Sequence, residues 1–249
     1  RTRAILVQHN FGSPAPMGGL SKAAEARDIV VIEDCAHAMG GIGGGRPLGT
    51  LGHASFSSLQ WSKPTTTGLG GIARVNDPER AGALQALAQE HFIEPPWLTS
   101  LTMQFLSGLY RSVYRPSWYW TAQCLYRWAS ARGIVQGSSS AGELVSTDMP
   151  TGFRCLFGKA RKGSMEAAFR GMPSLLEHRR GILKMYVDEF SRCDTWCAPD
   201  EAEGDSGAAL RYPVLVENRD ELLGLARNAR IELGDWFNAP LHPEGCNAE

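Results

Sequence analysis

The sequence predicts an α/β fold, and three observations carry that reading. Ala4–Gln8 and Ile29–Ile32 are short apolar runs, and Leu20–Arg27 between them has helical composition. Strand, helix and strand over roughly the first thirty residues form a βαβ unit, which needs a parallel pair and a right-handed crossover. The second run leads straight into Glu33-Asp34. These acids therefore fall at the carboxyl end of a strand, where ligands of open parallel sheets collect. His9 ends the first strand in the same way. Finally, Ala54–Ser58 and Gly71–Asn76 are further strand candidates, and Asp77-Pro78 is a helix start with a side-chain cap and proline at the first helical position.

The later chain is organised differently. From Trp97 to Arg132 the sequence is dense in Trp and Tyr, and Pro116 divides it into two helical halves. Arg111, Arg115 and Arg127 interrupt every apolar run well before the roughly eighteen residues a membrane span requires. The segment reads as a helical pair packed on its own domain or on a partner subunit, with peripheral contact to a membrane surface as the alternative. Gln136–Gly142 is a turn or linker. Ser164 to Phe190 reads as a long helix that Pro173 can bend, with Glu177, His178, Arg179 and Arg180 on its polar face. A small α+β region follows, with a strand at Ala209–Val216, a helix at Asp220–Asn228 and an extended Ile231–Leu233.

The domain expectation is thus residues 1–160 as a partial large domain, including the aromatic insertion at about 97–132. Residues 161–249 supply a connecting helix and a small C-terminal domain.

Bulk composition narrows the function. A chain of 249 residues can bury a substantial core, and a net charge of −1 provides no electrostatic reason to bind nucleic acid or an anionic membrane. Six cysteines show no paired metal-ligand spacing; Cys193 and Cys197 lie beside Pro199 and Asp200, a loop composition. No metal site is expected, and the cysteine pattern suits a reducing, cytoplasmic compartment. The first residues carry no signal-peptide pattern and no initiator methionine, and a strand follows at once. The chain is therefore expected to be part of a longer protein.

Two residues suggest the chemistry. An acid at a strand mouth, Asp34, and about thirty residues later a lysine, Lys63, in the turn Ser62-Lys63-Pro64-Thr65-Thr66-Thr67-Gly68, suit a pyridoxal phosphate enzyme. A carboxylate beside the pyridine nitrogen favours its protonated form. A lysine amine that can lose its proton captures the cofactor aldehyde and then shuttles protons. Hydroxyls and backbone amides in such a turn can approach phosphate oxygens, and Ser58 can add its hydroxyl. Asp34 taken alone is equally well explained as a cap on the turn that follows it. The glycine-rich stretch Gly40–Gly45 lacks both the Walker lysine and the dinucleotide spacing, so it reads as a mobile turn.

Four stretches together resemble the DegT/DnrJ/EryC1/StrS family of sugar aminotransferases: Ala4–Gly12, Val31–Gly40, Gly45–Gly49 and Ser58–Gly71. The similarity continues weakly through Arg179-Arg180, Leu210–Pro213 and Pro240–Pro243. The resemblance implies a fold type I pyridoxal phosphate large domain, here partial, with a small α+β C-terminal domain. It implies pyridoxal 5'-phosphate as cofactor, with Asp34 at the pyridine nitrogen, His37 near the ring hydroxyl, Ser58 on the phosphate and Lys63 as the catalytic lysine. It also implies a nucleotide-linked keto sugar as substrate, an amino donor that is usually glutamate, and a homodimer. Lysine at position 63 sets the chain apart from the family's sugar dehydratases, which carry histidine there.

Three departures are visible: Pro64 and Leu69 replace the family's Asn and acidic residue, and Lys159-Ala160-Arg161 stands where the family has Asn-Tyr-Arg. Nothing in the sequence corresponds to the family's first hundred or so residues. The competing expectation is a non-catalytic relative that binds a partner through its aromatic helices.

Overall fold

The computed structural model describes residues 2–132, 153–192 and 206–234. The chain divides into two compact units, Arg1–Leu106 with Arg154–Leu215, and Ser107–Phe153 with Val216–Glu249.

In the first unit, β1 (Ala4–Gln8), α1 (Met17–Glu25) and β2 (Val30–Asp34) form the expected βαβ unit. β1 and β2 are parallel and register Ala4 on Val30 through Gln8 on Asp34. Helix α1 starts earlier than Leu20 because buried Met17 anchors a first turn that Gly18 and Gly19 alone would not favour. Its inner face closes a core of Val7, Met17, Ala24 and Val31, with Ile5, Leu20 and Leu51 packed around it. Strand β2 runs on through both acids, since Glu33 and Asp34 pair with Val7 and Gln8 on one side and with Ser55 and Phe56 on the other.

The glycine-rich stretch is a paired hairpin, which corrects the reading of a mobile turn. β3 (Ile42–Gly43) and β4 (Arg46–Pro47) are antiparallel, and Gly44 and Gly45 have φ of 56° and 71°. Left-handed backbone at both central positions is what a tight hairpin of this kind needs, and only glycine adopts it without strain. Ile42 also exchanges two backbone hydrogen bonds with Ser206, at 2.8 and 2.9 Å.

β5 (Ala54–Ser58) lies parallel to β2, and β6 (Gly71–Val75) closes the order β1-β2-β5-β6 as an antiparallel edge strand. The connection from β5 to β6 is a folded turn, not a helical crossover, which is why the last strand reverses direction.

α2 (Pro78–His91) begins as expected, with the Asp77 carboxylate accepting from the Glu79 N–H at 2.9 Å. Helices α3 (Trp97–Val113) and α4 (Tyr119–Ala131) are the expected halves on either side of Pro116. Pro173 lies inside α5 (Lys162–Phe190). Arg179 and Arg180 of α5 do not form a solvated face. Their guanidinium groups donate to the carbonyls of Ala209, Leu210 and Gly207, at 3.2, 3.3 and 3.2 Å.

Those contacts explain a second correction: residues 209–216 form no strand. The carbonyls of Ala209 and Leu210 are taken by Arg179, the N–H groups of Leu210 and Arg211 both donate to Phe11 O, and Pro213 has no N–H. The backbone is satisfied outside any ladder. In the second unit, α6 (Arg219–Asn228) is capped by Asn218 as the helical composition required, and residues 231–233 form no strand. The resembling segment Pro240–Pro243 and the linker at 136–142 lie outside the described residues, as do Cys193, Cys197 and Cys246.

Candidate active site

The carboxyl ends of β1 and β2 meet the start of β5 around Glu33, whose side chain is fully buried. It accepts from His9 Nε2 at 3.1 Å and from the backbone N–H groups of Gly49, Leu51 and Gly52 at 2.8, 2.7 and 2.7 Å. His9 Nδ1 in turn accepts from the Ala15 N–H at 3.0 Å, which assigns the ring proton to Nε2. Burial pushes the Glu33 carboxyl up, but His9 and the three backbone donors outweigh it and hold it below its ordinary value. One side chain thus ties β1, β2 and the 49–52 loop together. Cys35 Sγ lies near this pair, within 4.8 Å of the His9 and Glu33 ligand atoms. A cation there would have to displace the donors already bound to Glu33. Burial, and then the charges of Glu33 and Asp34, push the Cys35 thiol up to about 12, so it is chemically quiet.

The next residue, Asp34, points to the other side of the sheet, because side chains alternate along a strand. One carboxylate oxygen accepts from the Ala36 N–H at 2.9 Å, so Asp34 does cap the turn after β2. The same carboxylate acts electrostatically on both Lys63 and His37. Capping and a place in the charged cluster are compatible roles of one group.

Lys63 is positioned by a turn closed on Leu59, which is fully buried at the end of β5. Leu59 O accepts from the Thr67 N–H at 3.1 Å and the Thr66 hydroxyl at 3.0 Å, and the Leu59 N–H donates to Gly70 O at 2.9 Å. The Lys63 N–H donates to Gln60 O at 3.0 Å. Burial lowers the Lys63 pKa; Asp34 opposes that shift and Arg211 adds to it. His37 is 4% exposed and is pushed down to about 4, first by burial and then by Lys63, so its imidazole is neutral at ordinary pH.

Asp34, His37 and Lys63 therefore stand in one electrostatic neighbourhood. Ser58 is on the adjacent strand end, two residues beyond Phe56, the register partner of Asp34. Its hydroxyl accepts from the Gln60 N–H at 3.3 Å, which leaves the hydroxyl proton to be donated.

Three contributors went unassigned at the level of sequence. Arg211 reaches the cluster because its segment is stitched to Phe11 beyond β1. Gly12 permits that approach: a Cβ on it would come within 2.7 Å of Leu210 N. Arg161, in the segment that replaces Asn-Tyr-Arg, is buried and donates to Thr67 O and Leu69 O at 2.9 and 2.6 Å, with its guanidinium 4.2 Å from the Phe157 ring centroid. It clamps the far end of the lysine turn. Thr65, two residues after the lysine, buries a hydroxyl that has no hydrogen-bond partner among the described residues. Arg161 and Arg211 had only a place in family-like segments and Thr65 a place in the hydroxyl-rich turn; the contacts that position the two arginines are distant in sequence.

A groove lined by Thr2, Arg3, Arg27 and Asp28 lies at the opposite ends of β1 and β2, away from this chemistry.

Comparison with known proteins finds relatives of this chain. An uncharacterised protein of Methanocaldococcus jannaschii is 26% identical over 249 aligned residues, covering 97% of this chain and 54% of that protein. GDP-perosamine synthase of Escherichia coli O157:H7 is 40% identical over 77 residues, which is 31% of this chain and 21% of that enzyme. The structure of an E. coli GDP-4-keto-6-deoxy-D-mannose-3-dehydratase with bound hydrated pyridoxal phosphate superposes with a TM-score of 0.61 at 18% identity, covering 93% of this chain and 52% of that one. The shared fold is that of a partial fold type I domain. The chain spans about half the length, or less, of these proteins. Residues 1–94 match the model of the DegT/DnrJ/EryC1/StrS aminotransferase family.

Proposed function

We propose that this chain is the catalytic-lysine part of a pyridoxal phosphate-dependent aminotransferase that converts a nucleotide-linked keto sugar to an amino sugar. One observation carries the reading: a lysine with a lowered pKa shares its surroundings with a strand-end aspartate and a neutral, buried histidine. The match of residues 1–94 to an aminotransferase family supports it. The cofactor fits the residues present. Asp34 offers a carboxylate, Lys63 an amine, and the Thr65 hydroxyl is a buried polar atom that lacks a partner among the described residues.

Pyridoxal phosphate, when bound, supplies an electron sink for the electrons left when a proton leaves carbon. The remaining work falls to the chain. Asp34 holds the proton on the pyridine nitrogen, and His37, being neutral, can donate or accept a hydrogen bond at the ring hydroxyl without adding charge. Ser58 and Thr65 offer hydroxyls that would donate to the cofactor's phosphate. Lys63 Nζ takes and returns the proton at the substrate carbon, a role that requires a neutral amine and hence its lowered pKa. Arg211 helps to keep it so. The family expectation of glutamate as donor and a homodimer goes with this reading, as do the cytoplasmic setting expected from the cysteine pattern and a cofactor-binding part at residues 1–160.

Incubation of the protein with pyridoxal phosphate, glutamate and a nucleotide-linked 4-keto sugar, followed by mass spectrometry, tests it. The expected product is the amino sugar, absent with Lys63→Ala. Equal product from Lys63→Ala overturns the assignment.

A further inference from the structure

Helix α3 turns the apolar side of an amphipathic helix outward. Trp97, Leu98, Leu101, Phe105 and Leu109 are 69, 58, 49, 71 and 47% exposed. At roughly 100° per residue they fall within an arc of about 120°, a stripe about 18 Å long. Beside and on α4, Trp118, Leu125 and Trp128 are 60, 64 and 50% exposed. A helix with such a face normally buries it, and a contiguous exposed apolar stripe marks an interaction surface.

Charge identifies the occupant. Between Trp97 and Arg132 the sequence holds Arg111, Arg115, Arg127 and Arg132 and no Lys, Asp or Glu, in a chain whose net charge is −1. Arg111 and Arg115 are exposed. On the helical wheel Arg111 lies about 40° from the Trp97 edge of the stripe. The Arg132 guanidinium sits 4.3 Å from the Trp128 ring centroid.

Aromatic rings on an apolar face, flanked by arginines, suit the headgroup level of a bilayer, where rings take the interface and guanidinium groups pair with phosphates. No helix of the described residues is long and apolar enough to cross a membrane. A second copy of this chain is a poor occupant, because a two-fold contact would set the same arginines against one another with no acid to offset them.

We propose that the Trp97–Arg132 segment docks the protein on an anionic phospholipid surface, the stripe of α3 entering the interface and Arg111 and Arg115 facing lipid phosphates. This inference is independent of the chemistry at Lys63.

Co-sedimentation of the full chain with vesicles of phosphatidylcholine, alone or mixed with phosphatidylglycerol, tests it. Binding to the mixed vesicles is expected to be at least tenfold tighter than to phosphatidylcholine and to weaken with salt. Removing one basic residue from an anionic surface weakens binding about fivefold. Arg111→Glu with Arg115→Glu should therefore lose tenfold or more. Trp97→Ser with Phe105→Ser should lose a similar factor. Both pairs replace exposed side chains, so the far-UV circular dichroism of each variant is expected to match the parent. Equal binding to the two vesicle types, or unchanged binding by both variants, overturns the proposal. So does an absence of vesicle binding accompanied by a dimer that Trp97→Ser with Phe105→Ser dissociates, which identifies a second copy as the occupant.

Discussion

The sheet around Glu33 and helix α3 treat polar and apolar groups in opposite ways. In the sheet, charged and hydroxyl side chains lie inside, and almost every polar atom of the hub is matched. Glu33 alone takes four donors. In α3, large apolar side chains lie outside, Phe105 being 71% exposed. A buried polar network holds geometry and is costly to break, whereas an exposed apolar stripe adds little to stability and is available for contact. The contrast separates the part of the chain that fixes a site from the part that presents a surface.

The largest test of that contrast is Glu33→Gln. The amide keeps the shape but sets its NH2 donor against one pair of donors, either the Leu51 and Gly52 N–H groups or His9 Nε2 and the Gly49 N–H. Urea unfolding is expected to show a loss of about 2–6 kcal/mol, at about 1–3 kcal/mol for each of two buried donors left without an acceptor. A loss below about 1 kcal/mol would contradict the role of Glu33 as hub.

Next comes His37, whose pKa is lowered from 6.5 to about 4. Between those values the unfolded chain binds a proton that the folded chain refuses, so stability falls as pH drops through this window and levels off below it. Replacing it, His37→Gln, should flatten that limb by no more than about 3 kcal/mol. Denaturation midpoints across the window report it directly.

The smallest expected effect is on the other side of the comparison. Trp97→Ser and Phe105→Ser should each change stability by about 0.5 kcal/mol or less, as exposed positions do. A loss of several kcal/mol would mean that the stripe is packed and not presented.

Legibility in the sequence divides along the same line. The βαβ unit, the Asp77 cap and the break at Pro116 are local signals, and each is found where the pattern predicts it. Asp34 and Lys63 were visible because a strand-end acid and a lysine in a hydroxyl-rich turn are local too. Arg211, Arg161 and the His9–Glu33 pair were not. Their partners, Phe11, Thr67 and the 49–52 loop, are remote in sequence, and no periodicity encodes such contacts. Residues 209–216 show the converse: Leu210 and Val214–Val216 have strand propensity, but Arg179 and Phe11 O satisfy its early backbone before a ladder can form.

The central claim is that Lys63 is the lysine that captures the cofactor. Borohydride reduction of the protein with pyridoxal phosphate, followed by peptide mass mapping, reads it most directly. The amine of Lys63 is neutral at lower pH than an ordinary lysine. The account therefore predicts a single dominant adduct on the Lys63 peptide, persisting at pH values where surface lysines are unlabelled. An adduct spread over Lys22, Lys162 and Lys184 with none at Lys63 would contradict it.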